Sequence, residues 1–469
     1  MDESEEKKVV FQGELAVSDG VARQCAVTIQ YQQWNPEILT VNLLWLGQEQ
    51  ERSEGAMALQ HLGRNHVWLE SMDGYHLPAE ILGIRGVSTQ HTGSNVHSSS
   101  VDASAVQIGI TKSSYQKETK LNVIVRLQPS GILVLPSIKT QSFTGTVEIE
   151  QIETGSVEFN VPGGMLEARE TTEYSRRQVH GDKITEQIQR ASMLGEITLK
   201  IDENLWDLHE EIKKALNTAC SALSLCFRQT VDYYEIEYIN LDESIPKPPS
   251  KYRRRWLNCK SNRKGDELIN TRALVDGGLQ RLITSIECSE REDDIHRAIQ
   301  FLASSYQAAA ETAYFMAFSA METIVSCCLD GAEEKVLGSS AWKKVESFLR
   351  KTIEENLEPT VQEQLVPNLP GLKRVTLSSR IEKACEKYLP KIDDLWPALT
   401  FEKGMERAIK IRNGLFHAAD AYTEESLVGD LSRIQVFSER LLLKRLGWND
   451  EDIWVWYDQN LKWINSNDR

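Results

Sequence analysis

The sequence predicts an α+β protein, with a β-rich N-terminal domain followed by an all-helical C-terminal bundle. Two observations carry this. From about Val9 to Lys200, short apolar runs alternate with a period of two and are punctuated by Gly, Pro, Ser and Asn, the pattern of antiparallel strands. After about Asp266 the apolar residues recur at helical spacing, and no convincing strand follows. A length of 469 residues also calls for more than one folding unit. The expected division is 1–265, which takes in a helix at 203–228 and a linker at 245–265, and 266–469.

Taken in order, the strands are expected in AVTIQY, ILTVNLLWL, VQIGI, LNVIVRL, GILVL, TVEIEQI, SVEFNV and EITLKI, with VPGGM (161–165) as a hairpin turn. Segment 88–104, STQHTGSNVHSSSVDAS, is small and polar and reads as a loop. Residues 203–228 have helical spacing, and YYEIEYINL alternates like one more strand. Pro246, Pro248 and Pro249 then exclude a helix and favour extended chain. Helices are expected at 266–286, 291–329, 340–356, 376–388, 402–420 and 424–446.

The formal net charge is −16, and it divides evenly, −8 for residues 1–200 and −8 for 201–469. Bulk electrostatics therefore oppose nucleic-acid binding, and any such contact needs a local basic patch. No apolar run approaches the ~20 residues that cross a bilayer. The start, MDESEEKK, has no apolar core of a secretory signal, so a cytoplasmic protein without membrane contact is expected. Eight cysteines without a CxxC pair suit neither a disulfide framework nor a zinc ribbon. The histidine pairs His61/His66 and His91/His97 lack acidic or thiol neighbours at ligand spacing, so no metal or other cofactor is expected.

The most informative stretch is AIKIRNGLFHAAD (408–420), where Arg412, Asn413 and His417 stand in an otherwise small and apolar segment. On a helix Asn413 and His417 share a face, whereas Arg412 and His417 diverge by roughly 140°. The length of the Arg side chain, or a distortion at Gly414, would be needed to bring them onto one phosphate. On spacing alone, a buried structural Arg–His pair within the bundle is the favoured reading. Glu322, in FSAMETIV, is one carboxylate in an apolar helix and is read either as a partner for Arg412 or His417 or as an ordinary structural group.

R-N-x-x-x-H on a late helix of a helical C-terminal domain resembles the HEPN superfamily of ribonucleases. AYFMAFSAMETIVSCC (313–328) resembles the HEPN helix that carries an acidic residue, here Glu322. The order of a β-rich half and such a bundle is similar to the ApeA-like anti-phage proteins. The resemblance implies a HEPN-like bundle and a metal-independent endoribonuclease that uses the substrate 2′-OH, with Arg412, Asn413, His417 and Glu322 at the catalytic site. It further implies a homodimer or higher oligomer that joins two motifs in one cleft, host RNA as target with tRNA among the candidates, and an unknown phage-derived trigger sensed by the N-terminal half. The rival readings are a catalytically silent HEPN scaffold and a ligand-binding regulatory protein.

The densest basic cluster is Lys251, Tyr252, Arg253, Arg254, Arg255 and Trp256, read as an RNA-contacting strip with Lys410 as a further contact. The alternative is a solvated linker whose arginines pair with acidic neighbours. Trp448, Trp454, Trp456 and Trp463 in the acidic tail are expected to pack on the bundle or on a dimer partner.

Overall fold

The structure is a computed structural model that describes residues 6–18, 21–32, 35–46, 64–71, 76–93, 96–129, 138–141, 148–151, 157–179, 182–241, 249–255, 267–269, 271–275, 277–331, 333–417, 424–448 and 465. An N-terminal antiparallel sheet is followed by a C-terminal helical region. The chain divides into two compact units, one of residues 1–220, 231–264 and 274–280, the other of 221–230, 265–273 and 281–469. This differs from the expected division at 221–230 and 274–280.

In the first unit the strands are β1 (Glu6–Ser18), β2 (Val21–Gln32), β3 (Asn35–Leu46), β4 (Arg64–Ser71), β5 (His76–Gly93), β6 (Val96–Ile108), β7 (Thr119–Gln128), β8 (Ile138–Gln141), β9 (Glu148–Gln151), β10 (Val157–Val161), β11 (Gly164–Val179), β12 (Asp182–Leu199), β13 (Asp232–Asn240) and β14 (Ser250–Arg254). Twelve of them form one sheet in the order β10-β11-β12-β7-β13-β14-β6-β3-β2-β1-β4-β5, and β5 pairs back onto β6. The last six therefore close a ring. Its interior is filled by alternate residues, Val27, Ile29 and Tyr31 of β2, Leu39, Val41, Leu43 and Trp45 of β3, and Val101 and Ala103 of β6.

Strand β6 divides one edge between two neighbours. Residues 96–101 pair with β3, residues 105–108 pair with β14, and β5 runs along the other edge. The expected polar loop at 88–104 is thus corrected to two long paired strands. The reason is local packing. Trp45 lies opposite His97 with ring centroids 4.5 Å apart, and its Nε1 donates to Ser99 Oγ at 3.1 Å. Small hydroxyl side chains make room for that indole and satisfy its N–H.

At 161–165 the chain forms the expected hairpin. Val161 pairs with Gly164 across Pro162 and Gly163, and Gly163 takes a φ of +82°, which needs no Cβ. The first helix, α1 (Leu205–Phe227), starts where Asn204 Oδ1 accepts from the Asp207 backbone N–H at 2.9 Å.

The second unit contains α4 (Glu292–Ser305), α5 (Ala310–Cys328), α6 (Ser339–Asn356), α7 (Pro359–Leu365), a 3-10 segment (Val366–Lys373), α8 (Leu377–Tyr388), α9 (Phe401–His417) and α10 (Glu424–Arg445), after the short α2 (Thr271–Leu274) and α3 (Gly278–Glu287). The single helix expected over 291–329 is broken between Ser305 and Ala310. Tyr306 is drawn aside there, and its hydroxyl donates to Glu439 Oε1 at 2.5 Å. Helix α10 is buried nearly all round, with Leu431, Ile434, Phe437, Leu441 and Leu442 in the core, rather than amphipathic.

His209 on α1 is fully buried, with Nδ1 2.8 Å from the Tyr238 hydroxyl and its ring 5.2 Å from that of Tyr252. Burial, with Lys213 nearby, pushes its pKa from 6.5 down to about 3. Below the unfolded value the unfolded chain binds a proton that the folded chain refuses, so stability falls as pH drops from 6.5 toward 3. The slope approaches about 1.4 kcal/mol per pH unit. Thermal melts between about pH 6.5 and pH 4.5 should show this loss. His209→Gln, which does not titrate and still offers Tyr238 a partner, should flatten it.

Candidate functional site

Helix α9 is seated by two contacts that neither composition nor spacing signals. Gly404 faces the Trp396 ring, where an added Cβ would fall 2.3 Å from a ring carbon. One turn on, Arg407 grips the buried Asp430 of α10, Nε to Oδ2 at 2.8 Å and Nη2 to Oδ1 at 2.6 Å. Asp430 also accepts from Trp396 Nε1 at 2.8 Å and Arg433 Nη1 at 3.1 Å. A carboxylate with no exposure must be paired in this way. Tyr314 on α5 adds a 2.9 Å bond to the Ala408 carbonyl.

With α9 held there, Arg412 comes against α5. Its Nη2 lies 3.8 Å from Glu322 Oε1, its guanidinium lies 5.6 Å from the Phe318 ring centroid, and its Nη1 donates to Asn413 Oδ1 at 3.1 Å. The side chains of Arg412 and Glu322 are each 34% exposed, so the pair sits at the surface with an apolar ring beneath it. A planar, always ionised guanidinium at the surface is the side-chain type suited to anions such as phosphate.

The helix continues through Gly414 to His417, its last residue. No break at Gly414 turns His417 toward Arg412, so the divergence of roughly 140° remains within one chain. The His417 side chain lies outside the described part of the structure. Lys410 is exposed, two residues before Arg412 and so on the far side of the helix, and it is not brought to this site.

The basic strip has another arrangement. Lys251 to Arg254 belong to β14, inside the sheet, and Trp256 lies outside the described residues. Arg126, Glu235 and Arg253 stand directly opposite one another on β7, β13 and β14. Glu235 accepts from Arg126 and, at 2.5 Å, from Arg253, which has no exposure. Lys251 Nζ is 3.5 Å from Glu235 and donates to the Tyr31 hydroxyl at 3.0 Å. Burial alone would raise the Glu235 pKa, but Lys251, Arg126 and Arg253 overcome it and hold the carboxyl below its ordinary range.

Tyr252 is buried beside His209, Arg254 pairs with Asp232, and Arg255, the exposed member, binds Asp102 at 2.8 Å. The expected RNA-contacting strip is therefore corrected. Its cations are consumed by carboxylates within the sheet, as in the alternative reading, but in a buried strand rather than a solvated linker.

Sequence reasoning also missed three further groups on α10 and its partners. Arg228 holds Glu439 through two 2.8 Å bonds, Arg440 holds Asp394, and Arg433 Nε donates to the Leu395 carbonyl at 2.7 Å. Their signal was available: charged residues scattered round every face of an apolar helix cannot all reach water. Burial raises the thiol of Cys327 to about 11 and those of Cys328 and Cys385 to about 12, which leaves them unreactive. Trp448 is buried under the Arg281 guanidinium at 4.3 Å, and Trp454, Trp456 and Trp463 lie outside the described residues. Among the described residues no group of three His, Cys, Asp or Glu could hold a metal ion, and no helix is long and apolar enough to cross a membrane. No family model, curated protein or solved structure matches the chain.

The first and last of the strip's three arginines should respond differently. Arg253→Gln removes a charge-assisted bond from the buried Glu235, which keeps Arg126 and Lys251, and should lower unfolding free energy by about 1.5–3 kcal/mol in denaturant titrations. Arg255→Gln removes a surface pair and should cost no more than about 1 kcal/mol.

Proposed function

We propose that this chain is a metal-independent endoribonuclease of HEPN type, cutting host RNA, with tRNA among the candidate targets, during anti-phage defence. The observation that carries the reading is the half-exposed Arg412, held by Glu322 and Phe318, on a helix that ends in His417. RNA supplies its own nucleophile. The 2′-OH attacks the adjacent phosphorus, the 5′-oxygen leaves, and a 2′,3′-cyclic phosphate remains. The protein has to move two protons and stabilise the phosphorane.

His417 suits the first task because imidazole exchanges protons near neutral pH. Arg412 suits the second, since its fork stays ionised and matches two phosphate oxygens. Glu322 aligns that fork, and Asn413, bonded to it, adds a polar contact beside the phosphate. Because Arg412 and His417 diverge on one helix, a second copy of the bundle in a homodimer would supply the complementary histidine. The β-rich unit is the sensing module, answering a phage-derived trigger in the cytoplasm. No cofactor enters this chemistry.

The test is incubation of purified protein with total cellular RNA in EDTA, wild type beside His417→Ala and Arg412→Ala. Wild type should yield discrete fragments ending in cyclic phosphate. Each variant should lose at least about 100-fold in rate, the scale of one general acid–base or oxyanion contact. Equal thermal melts would show that the fold is kept. Fragments that persist in both variants would overturn the reading.

A further inference from the structure

We propose that three arginines gathered at the C-terminal end of α5, Arg291, Arg380 and Arg445, hold a phosphate of the RNA backbone neighbouring the one at Arg412, so that a single strand runs along α5 over Ser326. This rests on the RNA-cleaving reading of the Arg412 site.

Helical geometry sets the track. Ser326 lies one turn beyond Glu322 on α5, about 40° round the axis and about 6 Å further along it. Glu322, Thr323 and Ser326 are half-buried there, while Met321, Ile324, Val325 and Cys327 are buried. The accessible strip of α5 that Arg412 borders therefore continues to the end of the helix. Tyr314 meets Ala408, and Phe318 and Glu322 meet Arg412, so α9 advances the same way as α5. His417, which ends α9, stands on the Ser326 side of Arg412 along the axis.

At Ser326 the arginines converge. Arg380 Nη1, from α8, donates to Ser326 Oγ at 3.1 Å, and Arg291 Nη1 donates to the Ser326 carbonyl at 2.8 Å. Arg445, the last residue of α10, donates Nε to the Cys327 carbonyl and Nη2 to Ser289 Oγ, both at 3.3 Å. A hydroxyl or carbonyl accepts a hydrogen bond without cancelling the charge of the donor. In this the group differs from the strip on β14, whose arginines meet carboxylates. Among the described residues neither Arg380 nor Arg445 pairs with a carboxylate. Arg291 and Arg380 each bond through Nη1, and Nη2 of both is open to solvent.

The local charge balance is positive. Arg291 lies 3.7 Å from Glu334, while Glu333 is taken by Lys387 at 3.6 Å and Asp294 by Arg297 at 3.5 Å. Lys383 adds a cation whose Nζ donates to the Glu333 carbonyl at 3.0 Å. Four cations thus face Glu334, Asp330 and the roughly half negative charge of a helix end. On a chain of net charge −16, such an excess marks the local patch that a polyanion needs. One cation is enough to cap a helix end, whereas several guanidinia on one turn give the forked donors that suit a phosphodiester.

The probe is a short single-stranded oligonucleotide with RNA sequence and 2′-deoxy sugars, which cannot be cleaved. Its binding to the full-length protein is followed by fluorescence anisotropy over a series of salt concentrations. Arg380→Gln should weaken binding and lower the slope of log affinity against log salt by about 0.7, the loss of one phosphate contact. Arg380→Lys, which keeps the charge, should keep the slope, and equal thermal melts would show that all variants fold. A single neutral methylphosphonate linkage walked along the oligonucleotide should at one place weaken wild-type binding and leave Arg380→Gln binding unchanged. That place should fall within about two nucleotides of the linkage that behaves this way with Arg412→Gln. A helix cap alone would move the melt and neither of these readouts. An unchanged slope in Arg380→Gln, an equal fall in Arg380→Lys, no linkage that couples to Arg380, or a wild type that does not bind the probe would each overturn the proposal. Cleavage of unmodified RNA separates the two ideas. If His417-dependent cleavage occurs while the Arg380→Gln slope is unchanged, the phosphate track fails and the nuclease reading stands. If a linkage couples to Arg380 without His417-dependent cleavage, the reverse holds.

Discussion

Asp430 has no access to water, and that constraint orders the helical unit. A buried carboxylate stays ionised only with strong partners, and this one takes Arg407 from α9, Arg433 from its own helix and the indole of Trp396. Arg407 and Arg412 are five residues apart on the same helix, so the pair that satisfies Asp430 also sets where Arg412 meets α5. Glu439 repeats the device with Arg228 and Tyr306, and Arg440 of the same helix reaches the partly exposed Asp394. An all-apolar α10 would bury as well, but it could slide or rotate against its neighbours. Fixed charge pairs define one alignment of the helices around it.

The sheet unit obeys the same rule in strand geometry. Arg126, Glu235 and Arg253 form one row across three adjacent strands, where side chains directly opposite one another are close enough to pair. A bulge next to Tyr234 shifts the register there, and the Arg253 guanidinium stacks over the rings of Tyr31 and Tyr234 at 4.5 and 5.3 Å. The densest run of cations in the chain is therefore an internal ladder. It takes in carboxylates that would otherwise be intolerable inside a sheet.

Much of this was legible in the residues, and the limits were physical. Period-two and helical patterns located most strands and helices because burial of one face writes itself into the sequence. Segment 88–104 escaped because its strands are filled with Ser, Thr and His, whose packing against Trp45 depends on a partner far away in the chain. The break at 306–309 escaped because Glu439, which draws Tyr306 aside, is 133 residues distant. The strip at 251–255 was misread for the same reason: Arg126 is 109 residues from the carboxylate it shares with Arg253. Local composition shows charge, not the counter-charge that the fold brings. Arg412 and Glu322 were singled out by residue type alone, and their 3.8 Å approach could not be read from spacing.

The divided edge of β6 has a consequence for the order in which the chain assembles. Every pairing of the closed ring lies within residues 6–108, so the ring can form while the rest of the protein is still being synthesised. Its edge at residues 105–108 then waits for β14, some 145 residues later, to arrive from the ribosome. Throughout that interval a short row of backbone donors and acceptors is open, a template for the wrong strand or another nascent chain. The strand that eventually fills it carries Lys251, Arg253 and Arg254, and these cations match only the carboxylates waiting on β13. Charge thus acts as a key for the last insertion, favouring the correct late strand over the many apolar ones synthesised before it.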